Sequence, residues 1–208
     1  GGAAIAARRL LEAHLPTLPQ TRMLVQQKKY DLDAIGQTGT TAWQRHMQFM
    51  RFAAERAGFA RQEASRAVRF KFSPATTGEK LHKHPWVQQA DVLHLHWPHF
   101  GFLSLRGLEK LLALGKPVVW TLHDQWAFTG GCHYSGPCTR YRENCGYCSF
   151  LRKPAKNDLA FRVQKRKAEL FAGAAKLHFI TCSRWLRDEA RSASLTRHLP
   201  IGAIPNPI

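Results

Sequence analysis

Residues 90–124 read ADVLHLHWPHFGFLSLRGLEKLLALGKPVVWTLHD, and the fold turns on this stretch. Ala90 to His96 is a short run in which leucine and valine alternate with polar residues, the pattern of a buried strand. Leu103–Leu114 repeats leucine at helical spacing, and Gly115 with Pro117 just beyond it stops the helix. Val118-Val-Trp-Thr-Leu122 reads as a second strand, rich in the β-branched and aromatic residues that strands favour. A helix between two strands implies a parallel pair joined by a right-handed crossover.

The same alternation continues toward the C-terminus. Asn157–Ala174 reads as a helix with Asn157 as its N-cap. Leu177–Thr181 reads as a strand, Ser183 caps a helix running through Ala190, and Gly202–Ile204 is a last short strand. In the other direction the pattern is weaker. Residues 1–15 look helical and end at Pro16. Met23–Gln26 is a plausible strand, and residues 31–41, with their Gly and Thr, read as loop. Trp43 to Phe72 is a long amphipathic stretch that Gly58 is expected to split in two. Trp43, Met47, Met50, Ala54 and Ala57 fall on one face of it, a stripe expected to pack inward beneath a basic, solvated face. The predicted fold class is α/β, a parallel sheet flanked by helices.

Composition narrows the function. The chain has 208 residues, 44% of them hydrophobic and 22% charged, with a net charge of +17. Disorder, collagen and coiled coil are excluded, and no apolar run reaches the roughly 18–20 residues of a membrane span. The opening Gly-Gly-Ala-Ala has no charged-then-apolar leader pattern. A pI near 10.3 favours anionic partners: nucleic acid, anionic membrane or phosphorylated small molecules.

In parallel sheets ligands bind at the carboxyl ends of the strands, which directs attention to His96-Trp97, to His123-Asp124-Gln-Trp126 and to Ser183. A histidine at a strand end can donate to a substrate oxygen or act as acid or base; alternatively it satisfies a loop carbonyl. His94 and His96 share a sheet face, which suits either a metal or one core and one rim histidine. Gly1-Gly2 before a helix would let a phosphate approach backbone N–H groups, although neither a Walker loop nor G-x-G-x-x-G is present. Cys132, Cys138, Cys145 and Cys148 fall within seventeen residues. They fit a structural Zn²⁺ site closed by a C-x-x-C turn, with His133 able to replace one thiolate. Reduced or disulfide-paired packing cysteines are the next reading, and an iron–sulfur cluster the third.

The segment from Trp120 through His123-Asp-Gln-Trp126 to Cys132-His-Tyr-Ser135, continuing through Cys138 and Cys145-Gly-Tyr-Cys148 to the helix near Lys165, resembles the N-terminal domain of group 1 (family 4) glycosyltransferases, from the branch that builds bacterial exopolysaccharides of the colanic-acid type. Gly1-Gly-Ala-Ala4 resembles that family's glycine turn, Ile180–Leu186 its S-x-W-L segment, and Ile204–Ile208 its interdomain linker. The resemblance implies a GT-B architecture of two Rossmann-like domains. Residues 1–200 would be the acceptor-side domain, with a Cys-rich insertion at about 130–150. Residues 201–208 would begin the linker, with the first strand and the C-terminal donor-binding domain missing. It implies retaining transfer from a nucleotide-diphosphate sugar to a saccharide or lipid-linked acceptor, without a catalytic metal. His123 would face the donor sugar as the catalytic residue. Gly1 and Gly2 would lie by the diphosphate, and His96, Trp97, Asp124, Trp126 and Ser183 would bind substrate. The enzyme would be cytoplasmic, peripheral on the inner face of the plasma membrane through its basic region, and inactive as this piece alone. The competing readings are a basic, zinc-containing nucleic-acid-binding module and a structural interaction module. Neither C2H2, RNP-like nor helix-turn-helix signatures are present, so no nucleic-acid partner is expected.

Overall fold

A computed structural model of the chain describes residues 1–207. Helix α1 (Gly2–His14) leads to strands β1 (Met23–Val25) and β2 (Ile35–Gln37), then to α2 (Ala42–Ala60) and the short α3 (Pro85–Gln89). From there the alternation expected from the sequence is regular: β3 (Leu93–Leu95), α4 (Leu105–Leu112), β4 (Val118–Leu122), α5 (Leu159–Ala172), β5 (Leu177–Thr181), α6 (Arg184–Ser192) and β6 (Ile201–Ala203). All pairings between these strands are parallel. Strands β3-β4-β5-β6 form one sheet in sequence order, and β1-β2 form a second. The fold class is therefore α/β with parallel sheets flanked by helices, the strands lying in two sheets that do not hydrogen-bond to each other.

Register explains the core. Leu95, Trp120, Phe179 and Ile201 lie in one row across the four strands, and Leu93, Val118 and Leu177 in another row on the same face. That face packs against the helices. Trp120 and Phe179 are 5.8 Å apart between ring centroids, and Phe171 of α5 meets Phe179 at 5.6 Å. The opposite face carries His94, Val119, His178 and Ile180, of which His94 and His178 are exposed. Strand β3 is for that reason buried on one side only, and not on both as the reading of a buried strand expected.

Each later helix starts on a side-chain cap. Ser104 accepts from the Gly107 amide, and Ser183 from the Leu186 amide. Helix α5 is capped by Asp158, not Asn157. One Asp158 oxygen accepts from the Phe161 amide at 3.1 Å, and the other takes the Cys148 amide at 2.8 Å. A carboxylate fills both roles at a helix start, where negative charge is favoured.

Three further expectations fail for identifiable reasons. Residues 31–41 hold a strand, β2, because Ile35 is buried with Ala34 and Leu11 in a satellite core; tertiary burial outweighs the loop-like composition. Gly58 does not break α2: it sits exposed on the helix surface, where glycine costs only about 1 kcal/mol relative to alanine. The third failure is the largest. The apolar stripe of α2 faces outward, with Trp43 69% and Met50 45% exposed, Ala54 and Ala57 exposed and Met47 half-buried, and Phe49 beside it is 62% exposed. The buried face carries Gln48, Glu55, Arg56 and Phe59. These polar groups are buried because they are bonded. Gln48 donates to Thr38 and Glu79. The Arg56 guanidinium bonds Glu55 at 2.6 Å and the Phe72 carbonyl at 2.9 Å, and lies 4.8 Å from the Phe100 ring centroid. No helix is long and apolar enough to cross a membrane among the described residues.

Candidate active site

Strands β3 and β4 end side by side, so the residues that follow them meet. His96 Nδ1 and His123 Nε2 are 3.1 Å apart, and His94 Nε2 is 2.8 Å from Thr121 Oγ1. The rings of His94 and His96 lie 4.4 Å apart between centroids, and those of His96 and His123 5.4 Å. Burial pushes His96 down to about 3 and also lowers His123, against the opposing pull of Asp124. At neutral pH the two are neutral imidazoles sharing one hydrogen bond, so one nitrogen donates and the other accepts. If His96 Nδ1 donates, His123 holds its own proton on Nδ1, directed to whatever sits beyond the strand end.

Asp124 anchors the layer beneath. Its Oδ2 is 2.6 Å from His133 Nδ1 and accepts from Trp97 Nε1 at 2.9 Å; its Oδ1 accepts from the Trp126 amide at 2.9 Å. Burial by itself would raise this carboxyl, but the His133 hydrogen bond and the neighbouring histidines hold it below the usual carboxylate range. His133 Nε2 meets Ser73 Oγ at 2.9 Å. His99, Asp124 and His133 are the group of three whose ligand atoms fall within 4.8 Å of one another. Both His133 nitrogens and the Asp124 oxygens are already hydrogen-bonded, so the group is a closed network, not an ion cage. A pocket with about 10 Å³ of open space, room for roughly one water, lies among His96, Trp97, His99, His123 and Asp124.

The structure brings His96, Trp97, His123 and Asp124 into this one cluster, sets Trp126 beneath it and leaves the other expected residues elsewhere. Trp126 is 3% exposed; it donates its indole N–H to the Ser73 carbonyl and lies 3.3 Å from the Lys167 amine, measured at the ring centroid. It supports the site from below and has no surface to offer a substrate. Gly1 and Gly2 stand exposed at the start of α1, and none of the described hydrogen bonds joins them to the histidines. Ser183 is at the end of β5 with its hydroxyl accepting the Leu186 amide. His133 is committed to Asp124 and Ser73, which removes it as a substitute for one thiolate. Cys132, Cys138, Cys145 and Cys148 are free thiols lining a second pocket behind Phe72.

A family profile described as Glycosyltransferase Family 4 matches residues 40–208. The chain belongs to that family. It is similar to the putative colanic acid biosynthesis glycosyl transferase WcaC of Escherichia coli K12, 32% identical over 111 residues. That stretch is 49% of this chain and 27% of the relative, so the chain matches only about a quarter of the relative's length. No solved structure gives a significant match. The reading as a nucleic-acid-binding zinc module is not supported, because the family match takes in all of the helical basic region and the cysteines.

Within this family 4 domain, several supporting residues escape a reading of the sequence. Ser73 reaches His133 only because Ser73 N donates to the Gly131 carbonyl and His133 N to that of Lys71, a short antiparallel contact between distant segments. Gly131, at φ +127°, permits it, since a Cβ there would sit 2.5 Å from the Phe72 ring. Lys167 is fully buried and donates to the Trp126 and Thr129 carbonyls; burial lowers its amine to about 7. No local spacing links residues 73, 133 and 167. His99 had a signal, lying three residues beyond His96 on the loop that leaves β3.

Proposed function

We propose that residues 1–200 are the acceptor-side domain of a retaining glycosyltransferase, and that His123 is its catalytic residue. The enzyme would move a sugar from a nucleotide-diphosphate donor to a saccharide or lipid-linked acceptor in cell-surface polysaccharide synthesis. The observation that carries this is the coupled, neutral His96–His123 pair at the carboxyl ends of two parallel strands, held over a saturated Asp124.

Retaining transfer without a catalytic metal passes through a state in which charge separates between the sugar and the departing diphosphate. Such a state is stabilised by fixed hydrogen-bond donors more than by a strong base. A neutral imidazole whose tautomer is set by its neighbour is a donor of that kind. Its low basicity keeps it from drawing a proton off the acceptor prematurely. Trp97, half exposed and tethered through its indole N–H to Asp124, offers a flat face at the rim for a sugar ring. The donor's diphosphate would be held largely by a second domain, with Gly1-Gly2 and the start of α6 at Ser183 as contributions from this one.

The α2 surface supports peripheral contact with anionic membrane. Exposed Trp43, Phe49 and Met50 share a helix with Arg45 and Arg51, the combination of apolar insertion and positive charge that anionic lipid surfaces hold. This would place the domain beside a lipid-linked acceptor.

The test is transfer by the complete enzyme carrying His123→Ala, with donor and acceptor at saturation. Removing one oxyanion-type donor lowers kcat by about 10²–10³-fold, with the circular dichroism unchanged. An unaltered kcat in a folded variant would remove His123 from the chemistry.

A further inference from the structure

Four cysteines spread from residue 132 to residue 148 converge on one pocket with about 30 Å³ of open space, covered by Phe72, Tyr141 and Ala160. All four are free thiols, and the fifth cysteine, Cys182, follows β5 and does not line this pocket. We propose that this pocket is a structural zinc site with Cys132, Cys138, Cys145 and Cys148 as its ligands.

The backbone around the pocket is built to hold these residues. Cys145-Gly-Tyr-Cys148 is a tight turn, with Gly146 at φ +150° and Tyr147 at φ +46°. A Cβ on Gly146 would lie 2.6 Å from the Lys156 carbonyl oxygen. The Cys145 amide donates to Gln164 Oε1 at 2.5 Å and the Cys148 amide to Asp158 Oδ2 at 2.8 Å. Both partners are fixed at α5, so the helix positions the ligands from the second layer, as supporting groups do around metals.

Charge points the same way. Lys167 is buried with two carbonyls and a tryptophan ring as its partners, and has no carboxylate within ion-pair distance among the described residues. A zinc tetrathiolate carries two negative charges. It would give Lys167 the counter-charge that thiols do not, with Arg140 at the pocket wall as a second cation.

The segment also needs a staple. Between Thr129 and Asp158 the regular structure is one 3₁₀ turn, Arg140–Arg142. The core beneath it is Phe59, Phe72, Leu151 and Ala160. Long irregular segments on small cores are ordered by disulfides or metals. Four soft sulfur donors select zinc for a site with no redox role. The four sulfurs are not gathered into a ligand set among the described residues. Binding therefore draws them onto the ion at about 2.3 Å each, and the open space of the pocket gives room for the contraction. The four thiols lose their protons to solvent as four Zn–S bonds form, with no change of oxidation state.

The experiment is elemental analysis of the chain purified in reducing buffer without chelator, followed by mercurial titration. Zinc equimolar with the chain is expected, released in step with modification of four thiols. Cys138→Ser and Cys148→Ser lose the metal, and Cys182→Ser keeps it. Should the cluster variants not fold, cobalt(II) added to the unaltered, zinc-depleted chain replaces them as the test. The intense visible bands of a tetrahedral cobalt tetrathiolate are expected. Iron in place of zinc, a metal-free chain whose cluster thiols alkylate as fast as Cys182, an oxidised mass showing disulfides after reducing purification, or a cobalt spectrum lacking thiolate bands would each overturn the assignment.

Discussion

At the scale of single residues, the fold keeps the histidines at the strand ends neutral. His96 has an ordinary value of 6.5 and lies at about 3 in the fold, and His99 is likewise held well below 6.5. Between those limits the unfolded chain binds protons that the folded chain refuses. The stability these histidines contribute is therefore complete above about pH 6.5 and declines as pH falls below it. Asp124 adds nothing in this window, because its lowered carboxyl begins to protonate only below 3.8. Urea midpoints should fall from pH 8 to 7, where Lys167, lowered from 10.5 to about 7 in the fold, holds fewer protons than it does in the unfolded chain, and go on falling from about 6.5 toward 4.5 through the histidines with unchanged slope m. His96→Gln should flatten part of that fall. A second prediction concerns Asp124, which accepts three hydrogen bonds in a buried place. Asp124→Asn can accept on only one atom, so it leaves unmatched either the Trp126 amide or both His133 and Trp97, at a cost of about 1–3 kcal/mol in chemical denaturation. In the complete enzyme it should lower kcat, because the His123 backbone is positioned by its neighbour's network.

At the scale of elements, the carboxyl ends of β3 and β4 carry the histidine cluster, and the helices that follow the later strands are set by their caps. Ser183→Ala removes the acceptor for the Leu186 amide and should cost about 1 kcal/mol, read as a lower midpoint with no change in fold. Leu108 of α4 is almost fully buried in the main core. Leu108→Ala should cost about 2–5 kcal/mol by loss of transfer energy and by the cavity left behind. The contrast between these two variants separates local helix termination from sheet-to-helix packing. Helix α2 follows a different logic. Its inward face is a bonded polar network around Arg56 and Gln48, and its outward face is Trp43, Phe49 and Met50. Co-sedimentation with vesicles rich in anionic phospholipid should bind the chain at low salt and release it as salt rises. Trp43→Ser with Phe49→Ser should weaken binding at every salt concentration, since it removes apolar insertion and leaves the charge. Equal binding by the double variant would assign the effect to net charge alone.

At the scale of the whole molecule, the alternation of strand and helix from residue 90 onward, the parallel sheet and the placement of His96, His123 and Asp124 at strand ends follow from the sequence itself. Their causes are local: leucine spacing in α4, β-branched runs in β4 and β5, and serine caps. The family resemblance rested on the same segment, which the family match includes. Tertiary structure decided what no local pattern encodes. It paired Ser73 with His133 and set Lys167 under Trp126. It made a strand of residues 35–37 and turned the apolar stripe of α2 outward. In each case a partner distant in sequence supplies a hydrogen bond or a buried surface, and that free energy exceeds the small local preferences that periodicity measures.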